Sequence, residues 1–347
     1  MRIKEVLSYD DVLLIPRHSD ILSRTEVSLY SFLSDKLPLN IPVISAPMDT
    51  VTEASMCVAM NEAGGLGVIH RYNSIEEQLE IVREVMNYFP PTNQMNIAAA
   101  IGITNDFYER AQALVNEGAK ILCLDVAHGH HILMRDALLK LKDLFGDQVH
   151  LMAGNVAMRS AFEDLAHWGA DSIKVGIGGG SICSTRIQTG HGVPTFHSVL
   201  ECSKAEVDRD VKMIADGGLR SSGDIVKAIA AGADFVMLGS MLAATDQSPG
   251  ELHTNIHGEQ VKSYRGMASQ EAQTEWRGKV GSNEGISAFV PHKGSVYPIL
   301  EELKRGIRSG LSYSGCRSIP EFQASATFIK QTNAGQAESH THILGKK

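Results

Sequence analysis

One repeat constrains this chain more than any other feature. Eight short, β-rich runs recur in order, each followed by a helical pattern. The runs are PVISAPM (42–48), GLGVIHR (65–71), NIAAAIG (96–102), KILCLDVAH (120–128), VHLMAGNV (149–156), DSIKVGIG (171–178), VKMIADGG (211–218) and DFVMLGS (234–240). Most are continuously apolar rather than alternating, as expected of parallel strands covered on both faces. Amphipathic stretches at 74–89, 106–119 and 222–233 lie between them, and three connections end in Gly-Ala just before the next run, a glycine helix stop.

A doubly wound sheet uses the same βα unit, so the position of the polar residues decides. Met48 with Asp49, His70, Asp125, Asn155, Gly178, Asp216 and Ser240 all fall at or just beyond the carboxyl end of a run. In a (β/α)8 barrel those ends converge on one mouth, where an active site belongs. A single-domain (β/α)8 TIM barrel over 1–347 is therefore expected, and 347 residues suit one large barrel with insertions. Two stretches break the rhythm. Residues 179–205 follow the sixth run and hold Cys183, a catalytic cysteine loop on this reading; residues 241–297 follow the eighth and form the longest connection, a flap-like insertion. The tail, 332–347, is polar and is expected to be ordered by partner subunits.

Several function classes drop out on composition. A formal charge of −8 leaves no basic excess for general nucleic-acid binding. No run of about eighteen apolar residues marks a membrane span, and the opening MRIKEVLSYDD has no apolar signal-peptide core, so a cytoplasmic location is expected. Five cysteines without a CxxC pair fit neither a zinc site nor a disulfide framework, and suit a reducing compartment. Cys57 and Cys123 sit in apolar runs and read as core. His128, His130 and His131 lie too close along an irregular stretch for a familiar metal-ligand set, and no HExxH occurs.

Cys183 is different. It stands in KVGIGGGSICSTRIQTG (174–190), among glycines and beside Ser181, Ser184, Thr185 and Arg186. A thiol on such a loop is placed as a nucleophile, with Arg186 as a nearby counter-charge, and the loop carbonyls suit a monovalent cation. Across the mouth, IADGG (214–218) and MLGS (237–240) put glycines at the ends of strands seven and eight, where backbone N–H groups commonly bind phosphate. Asp216 beside them would accept from ribose hydroxyls. A phosphorylated ribose, with a nucleotide as the obvious case, is the substrate this pattern suggests.

SAPMDTVTEA (45–54), GGLGVIH (64–70), AGNV (153–156), GIGGGSICSTR (176–186), IADGG, MLGS and YRGMAS (264–269) together resemble the IMP dehydrogenase/GMP reductase family, from YDDVLLIP (9–16) to AGQAESH (334–340). The resemblance implies a barrel, a homotetramer with an octamer as the alternative, that binds a purine nucleotide and a nicotinamide cofactor. It implies that Cys183 attacks purine C2, with Thr185 and Glu284 handling protons. By the same resemblance Ser181, Gly217, Gly218, Gly239, Ser240 and Tyr264 would hold the phosphate, and Asp216 the ribose. Met48, Met267 and Gly285 would line the base; Asp125 would meet the nicotinamide ribose, with Asn155 close by. The carbonyls of Gly178, Gly180 and Cys183 would hold potassium.

The family's two activities differ in what completes the cycle. A dehydrogenase hydrolyses the adduct from IMP to XMP, using a flap Arg-Tyr pair. A reductase expels ammonia from GMP and delivers hydride to C2. Between GMAS (266–269) and NEG (283–285) this chain has no Arg-Tyr pair, only Trp276-Arg277, and NYFPPTNQ (87–94) runs straight to the third strand without CBS modules. IQTGHG (187–192) and SRTEVSL (23–29) are also reductase-like, whereas VTEASMCVAM, GGLGVIHR and AGQAESHTH resemble dehydrogenases, and Gly281 stands where many reductases have arginine. The expectation is an NADPH-dependent GMP reductase, with NADH as the alternative cofactor. The alternatives are an IMP dehydrogenase lacking CBS modules and, in another class, a non-catalytic purine-nucleotide-binding regulatory protein.

Overall fold

Each of the eight apolar runs forms a parallel strand: β1 (Val43–Ser45), β2 (Leu66–Ile69), β3 (Ala98–Ile101), β4 (Ile121–Asp125), β5 (His150–Val156), β6 (Ser172–Val175), β7 (Lys212–Asp216) and β8 (Phe235–Leu238). They pair in sequence order, and β8 returns to β1 to close the barrel. The computed structural model describes residues 3–89, 95–339 and 341, with the backbone but not the side chain of Arg277. The connection at 87–94 and the end of the tail therefore fall partly outside the described residues.

The continuous apolar runs have a simple cause. Ile44, Val68, Ala100, Cys123, Met152, Ile214 and Phe235 fill the barrel interior. Their strand neighbours, such as Ile69, Ala99, Leu122, Leu151, Ile173 and Val236, pack outward in the core beneath the helices. Neither face meets water, so neither needs polar residues. The helices that follow the eight strands around the barrel are α1 (Ala54–Glu62), α2 (Ile75–Tyr88), α3 (Phe107–Glu117), α4 (Ile132–Phe145), α5 (Arg159–His167), α6 (Thr195–Cys202), α7 (Ser222–Ala230) and α8 (Val296–Tyr313). Helix α2 starts in a capping box: Glu77 N–H donates to Ser74 Oγ at 3.2 Å, and Ser74 N–H donates to the Glu77 carboxylate at 2.7 Å. The Gly-Ala stops behave as expected. Gly118, Gly169 and Gly232 take φ of +113°, +107° and +114°, in the region a side chain disfavours.

The N-terminal end of the barrel is plugged by a hairpin, Ser31–Ser34 against Leu37–Leu39. Its Leu33, Leu37 and Leu39 join the interior cluster, and Asn40 N–H bonds the Gly64 carbonyl just ahead of β2. Val12–Leu14 pairs with Phe328–Lys330, tying the two ends of the chain together.

Both interruptions contain more order than loops. The 179–205 stretch includes α6, the sixth barrel helix, which packs on β6 and β7 and buries Phe196, Val199 and Cys202. The 241–297 stretch runs into α8, which starts at Val296. It folds as an antiparallel sheet of β9 (His253–Thr254), β10 (Gln260–Arg265) and β11 (Ser287–Pro291), with a helix at Gln270–Arg277. Two lysines fasten this sheet to the turn after β8. Lys262 Nζ donates to the carbonyls of Thr245 (3.0 Å) and Ser248 (2.6 Å), and Lys293 Nζ to that of Ala243 (2.9 Å). The tail forms a short helix, Asn333–Glu338, capped by Thr332. Among the described residues no helix is long and apolar enough to cross a membrane.

Candidate active site

A cavity of about 520 Å³ opens where the strands end. Every site residue expected from sequence lines it except Gly285. The strands supply the floor, the loops after β6, β7 and β8 one wall, and the β8 insertion the roof.

Cys183 is the one free cysteine that is not buried. Burial pushes the thiols of Cys123 and Cys202 up to about 12, and that of Cys57 higher still, so those three are inert core. The Cys183 thiol donates to Thr185 Oγ1 at 3.2 Å. Its loop is a tight turn, with Cys183 N–H on the Gly180 carbonyl at 3.1 Å, and it is laced to the insertion. Ser184 N–H donates to the Glu284 carbonyl (2.9 Å), Ile286 N–H to the Ile182 carbonyl (3.0 Å), and Ser184 Oγ to the Asn283 carbonyl (3.2 Å). This lacing brings Glu284 to the cysteine from far along the chain.

Gly285 stands instead in the seam of that lacing, bridged to both Cys183 and Ser269; a Cβ there would lie 2.9 Å from Ser269 N. It spaces two backbones rather than facing the cavity. Arg186 also departs from expectation. Its guanidinium donates to the Val193 carbonyl at 2.8 Å, bracing the loop's return.

Ser181, Gly217, Gly218, Gly239, Ser240 and Tyr264 all line the cavity, and a Cβ on Gly239 would lie 3.0 Å from the Tyr264 hydroxyl. Tyr264 is buried, and burial raises its phenol pKa although the Ser181 hydroxyl opposes this, so it stands ready as a neutral donor. The ends of β6 and β7 touch backbone to backbone. A Cβ on Gly176, at φ +149°, would sit 1.9 Å from the Asp216 carbonyl oxygen.

Opposite, Asn155 Nδ2 donates to the Asp216 carboxylate (2.9 Å) and to the Gly176 carbonyl (2.7 Å). Between Asp125 and Asp216 lies Lys174, a residue the sequence reading missed. Burial works against its charge, but the two carboxylates outweigh burial and raise its pKa, so it is an ammonium. A lysine within an apolar strand run was the available signal. Arg71, also missed, donates to the Asp125 carbonyl at 3.1 Å and lies 5.0 Å from the Tyr72 ring centre and 5.4 Å from that of Trp276.

Two polar strand ends are structural. His70 is buried and shares a 2.9 Å hydrogen bond with Glu53, just ahead of α1; Asp49 is held by Arg265, which also pairs with Glu275 at 2.6 Å. Among the described residues no group of three or more His, Cys, Asp or Glu is placed to hold a metal ion.

Comparison with known proteins agrees with this geometry. A family model described as IMP dehydrogenase / GMP reductase domain matches residues 6–342. An inosine-5′-monophosphate dehydrogenase from Nitrosopumilus maritimus is 34% identical over 473 aligned positions, covering 99% of each chain. One from Borreliella burgdorferi is 37% identical over 400, covering 98% of this chain and 97% of its own. A GMP reductase from Leishmania major is 32% identical over 481, covering 99% of this chain and 98% of its own. Among solved structures, a cysteine-to-alanine variant of GMP reductase from Trypanosoma brucei, in complex with guanosine 5′-monophosphate, superposes with a TM-score of 0.91 at 33% identity, covering 99% of both chains.

Proposed function

This chain belongs to the IMP dehydrogenase / GMP reductase family of oxidoreductases, which use a nicotinamide cofactor, and we propose that within it the chain is an NADPH-dependent GMP reductase. One observation carries the choice: residues 270–282, QEAQTEWRGKVGS, offer no Arg-Tyr pair to activate water. The segment is also tied down beside the mouth. Gln273 lines the cavity, and its Nε2 donates to the carbonyls of Ala268 (2.8 Å) and Ser282 (2.9 Å). The Trp276 ring packs edge-on against Tyr72 at 5.2 Å. The side chain of Arg277, the remaining candidate for a flap or base-recognition arginine, lies outside the described residues.

In the reaction, the Cys183 thiol passes its proton to the Thr185–Glu284 pair as its sulfur bonds C2 of GMP, and the exocyclic C2–N bond breaks. The departing amine takes a proton through Thr185 and Glu284 and leaves as ammonia, because a neutral leaving group needs general-acid help. NADPH, held by Asp125 and Asn155 when bound, would supply the hydride that C2 accepts. The C2–S bond breaks last, returning the thiolate and releasing IMP. Tyr264, Ser181 and the glycine amides at 217, 218 and 239, with Ser240, hold the phosphate throughout; Asp216 holds the ribose, and Met48 and Met267 flank the base.

The cofactor end fits the residues present. Asp125 and Asn155 offer polar atoms at the cavity edge, and Arg71 Nε is buried there without a partner, a donor suited to a ligand's acceptor. Potassium, when bound, would be held by the carbonyls of Gly178, Gly180 and Cys183, oxygen donors of the kind a hard cation takes. A cytoplasmic homotetramer is the assembly this reading expects, with an octamer as the alternative.

The second reading is an IMP dehydrogenase without CBS modules, favoured by dehydrogenase relatives at 34% and 37% identity against 32% for the Leishmania reductase. The missing insertion does not separate the two. The Leishmania reductase alignment spans 481 positions, whereas the Borreliella dehydrogenase alignment spans 400. Steady-state rates with GMP plus NADPH against IMP plus NAD, potassium present, decide. Faster IMP production supports the reductase; sustained XMP production at the higher rate overturns it. No cofactor turnover with either pair would leave a nucleotide-binding protein.

A further inference from the structure

Lys174 occupies a place no motif announced. On β6, Ile173 and Val175 pack in the outer core, so alternation turns Ser172 and Lys174 toward the barrel interior. Gly154 on β5 pairs in register with Lys174, and a Cβ there would lie 2.6 Å from the lysine's own Cβ. Strand β5 thus leaves out a side chain where β6 places its lysine. The side chain is 2% exposed and ends between two carboxylates, Asp125 on β4 and Asp216 on β7, the latter at 3.4 Å. The other groups facing this triad are Asn155, which donates to Asp216, Arg71, which donates to the Asp125 backbone, and the buried Cys123 thiol. One cation therefore serves two anions.

We propose that Lys174 is a positioning residue that couples the nucleotide site to the cofactor site, because Asp125 and Asp216 compete for its single ammonium. The proposal rests on the reading above, in which Asp216 meets the nucleotide ribose and Asp125 the cofactor ribose. Ligand hydroxyls that donate to Asp125 weaken its hold on the ammonium. The ammonium then moves toward Asp216, whose oxygens become poorer acceptors for the nucleotide ribose. In a buried site such shifts are weakly screened. By linkage, the nucleotide must act on the cofactor by the same factor.

The sign of one effect separates this relay from ordinary electrostatics. GMP is an anion, so deleting the Asp125 charge should tighten it by Coulomb attraction alone. Through the shared ammonium, the same deletion should weaken it. Calorimetric titration of GMP into the wild type, Asp125→Asn, Lys174→Met and the double variant reads this directly, with thermal melts confirming that each is folded. Asp125→Asn should weaken GMP about fivefold or more when Lys174 is present, in the usual range of coupling between sites. In the Lys174→Met background the same change should leave GMP unchanged or tighten it, and Lys174→Arg should keep the wild-type sign.

GMP affinity tightened by Asp125→Asn, or kept within about twofold of wild type, overturns the proposal. So does an equal weakening in both backgrounds, which would mean that Asp125 acts on GMP without the lysine. If Lys174→Met does not fold, the wild-type, Asp125→Asn and Lys174→Arg arms still give the sign. A second measurement needs no variant: NADP+ should weaken GMP, and GMP should weaken NADP+, by one factor. A wild type that takes up no GMP at all is a separate failure, that of the functional reading.

Discussion

At the closed end of the barrel, Ser172 of β6 meets His150 of β5 in a hydrogen bond of 2.8 Å; two residues further along the same strand, Lys174 meets two carboxylates. The two ends of one strand handle buried polar groups in opposite ways. Below, the hairpin leucines exclude water and the imidazole stays neutral, since burial lowers its pKa to about 4. Above, the strands open on a cavity, and charge is kept because it is paired. On the proposed function the closed end serves stability and the open end serves chemistry, with little more than one strand's length between them.

If that division holds, substitutions at the mouth should change rate without changing stability, and substitutions at the plug the reverse. The largest effect should come from Cys183→Ser, which should lower turnover by about 10³-fold or more while GMP binding and the melting temperature stay near wild type. A variant keeping more than about a tenth of the rate would remove the covalent role. Glu284→Gln should lower the rate by about 10²–10⁴-fold with little change in GMP affinity. If GMP affinity falls while the rate is kept, Glu284 belongs to binding and not to proton transfer.

At the other end, Leu33→Ala should cost about 2–5 kcal/mol in urea unfolding, the usual range for a buried leucine, with kcat unchanged wherever the variant is folded. A loss of kcat in the folded variant would show that the plug and the mouth are coupled.

His150 should give a smaller, pH-dependent effect. Its pKa is lower folded (about 4) than unfolded (6.5), so below 6.5 the unfolded chain binds more protons. Its contribution is therefore complete above about 6.5 and is lost as pH falls toward 4, at most about 3.5 kcal/mol at about 1.4 kcal/mol per unit. The difference in unfolding free energy between wild type and His150→Gln, measured across that range, should narrow as pH falls. A difference independent of pH would mean that the imidazole is not held neutral. Smallest of all, Gly118→Ala should cost about 1 kcal/mol, because φ there is +113°, and should leave the rate untouched.

Much of both ends was legible beforehand. The strands were, because a barrel strand is apolar on both faces whatever its neighbours are. The Gly-Ala stops were, because a left-handed residue after a helix is a local demand. That the glycine-rich strand ends and the cysteine loop would share the mouth was, because each stands at the carboxyl end of an apolar run. The sixth barrel helix was not separated from the cysteine loop, because it follows directly on a run of glycines and hydroxyls, although Phe196, Val199 and Cys202 mark its apolar face.

What the residues settled alone is thus what single segments prefer: strand, stop and loop. Pairings were settled by the closed barrel. Only closure puts Lys174 between Asp125 and Asp216, turns Arg186 to the Val193 carbonyl, and gives His70 to Glu53. Gly285 came to stand in the seam where the cysteine loop and the insertion lie against each other. The physical reason is range. A backbone preference or an apolar face acts within a few residues and is written in order along the chain. An ion pair or hydrogen bond acts over a few ångströms, and which distant residues come that close depends on how eight strands shut into one ring.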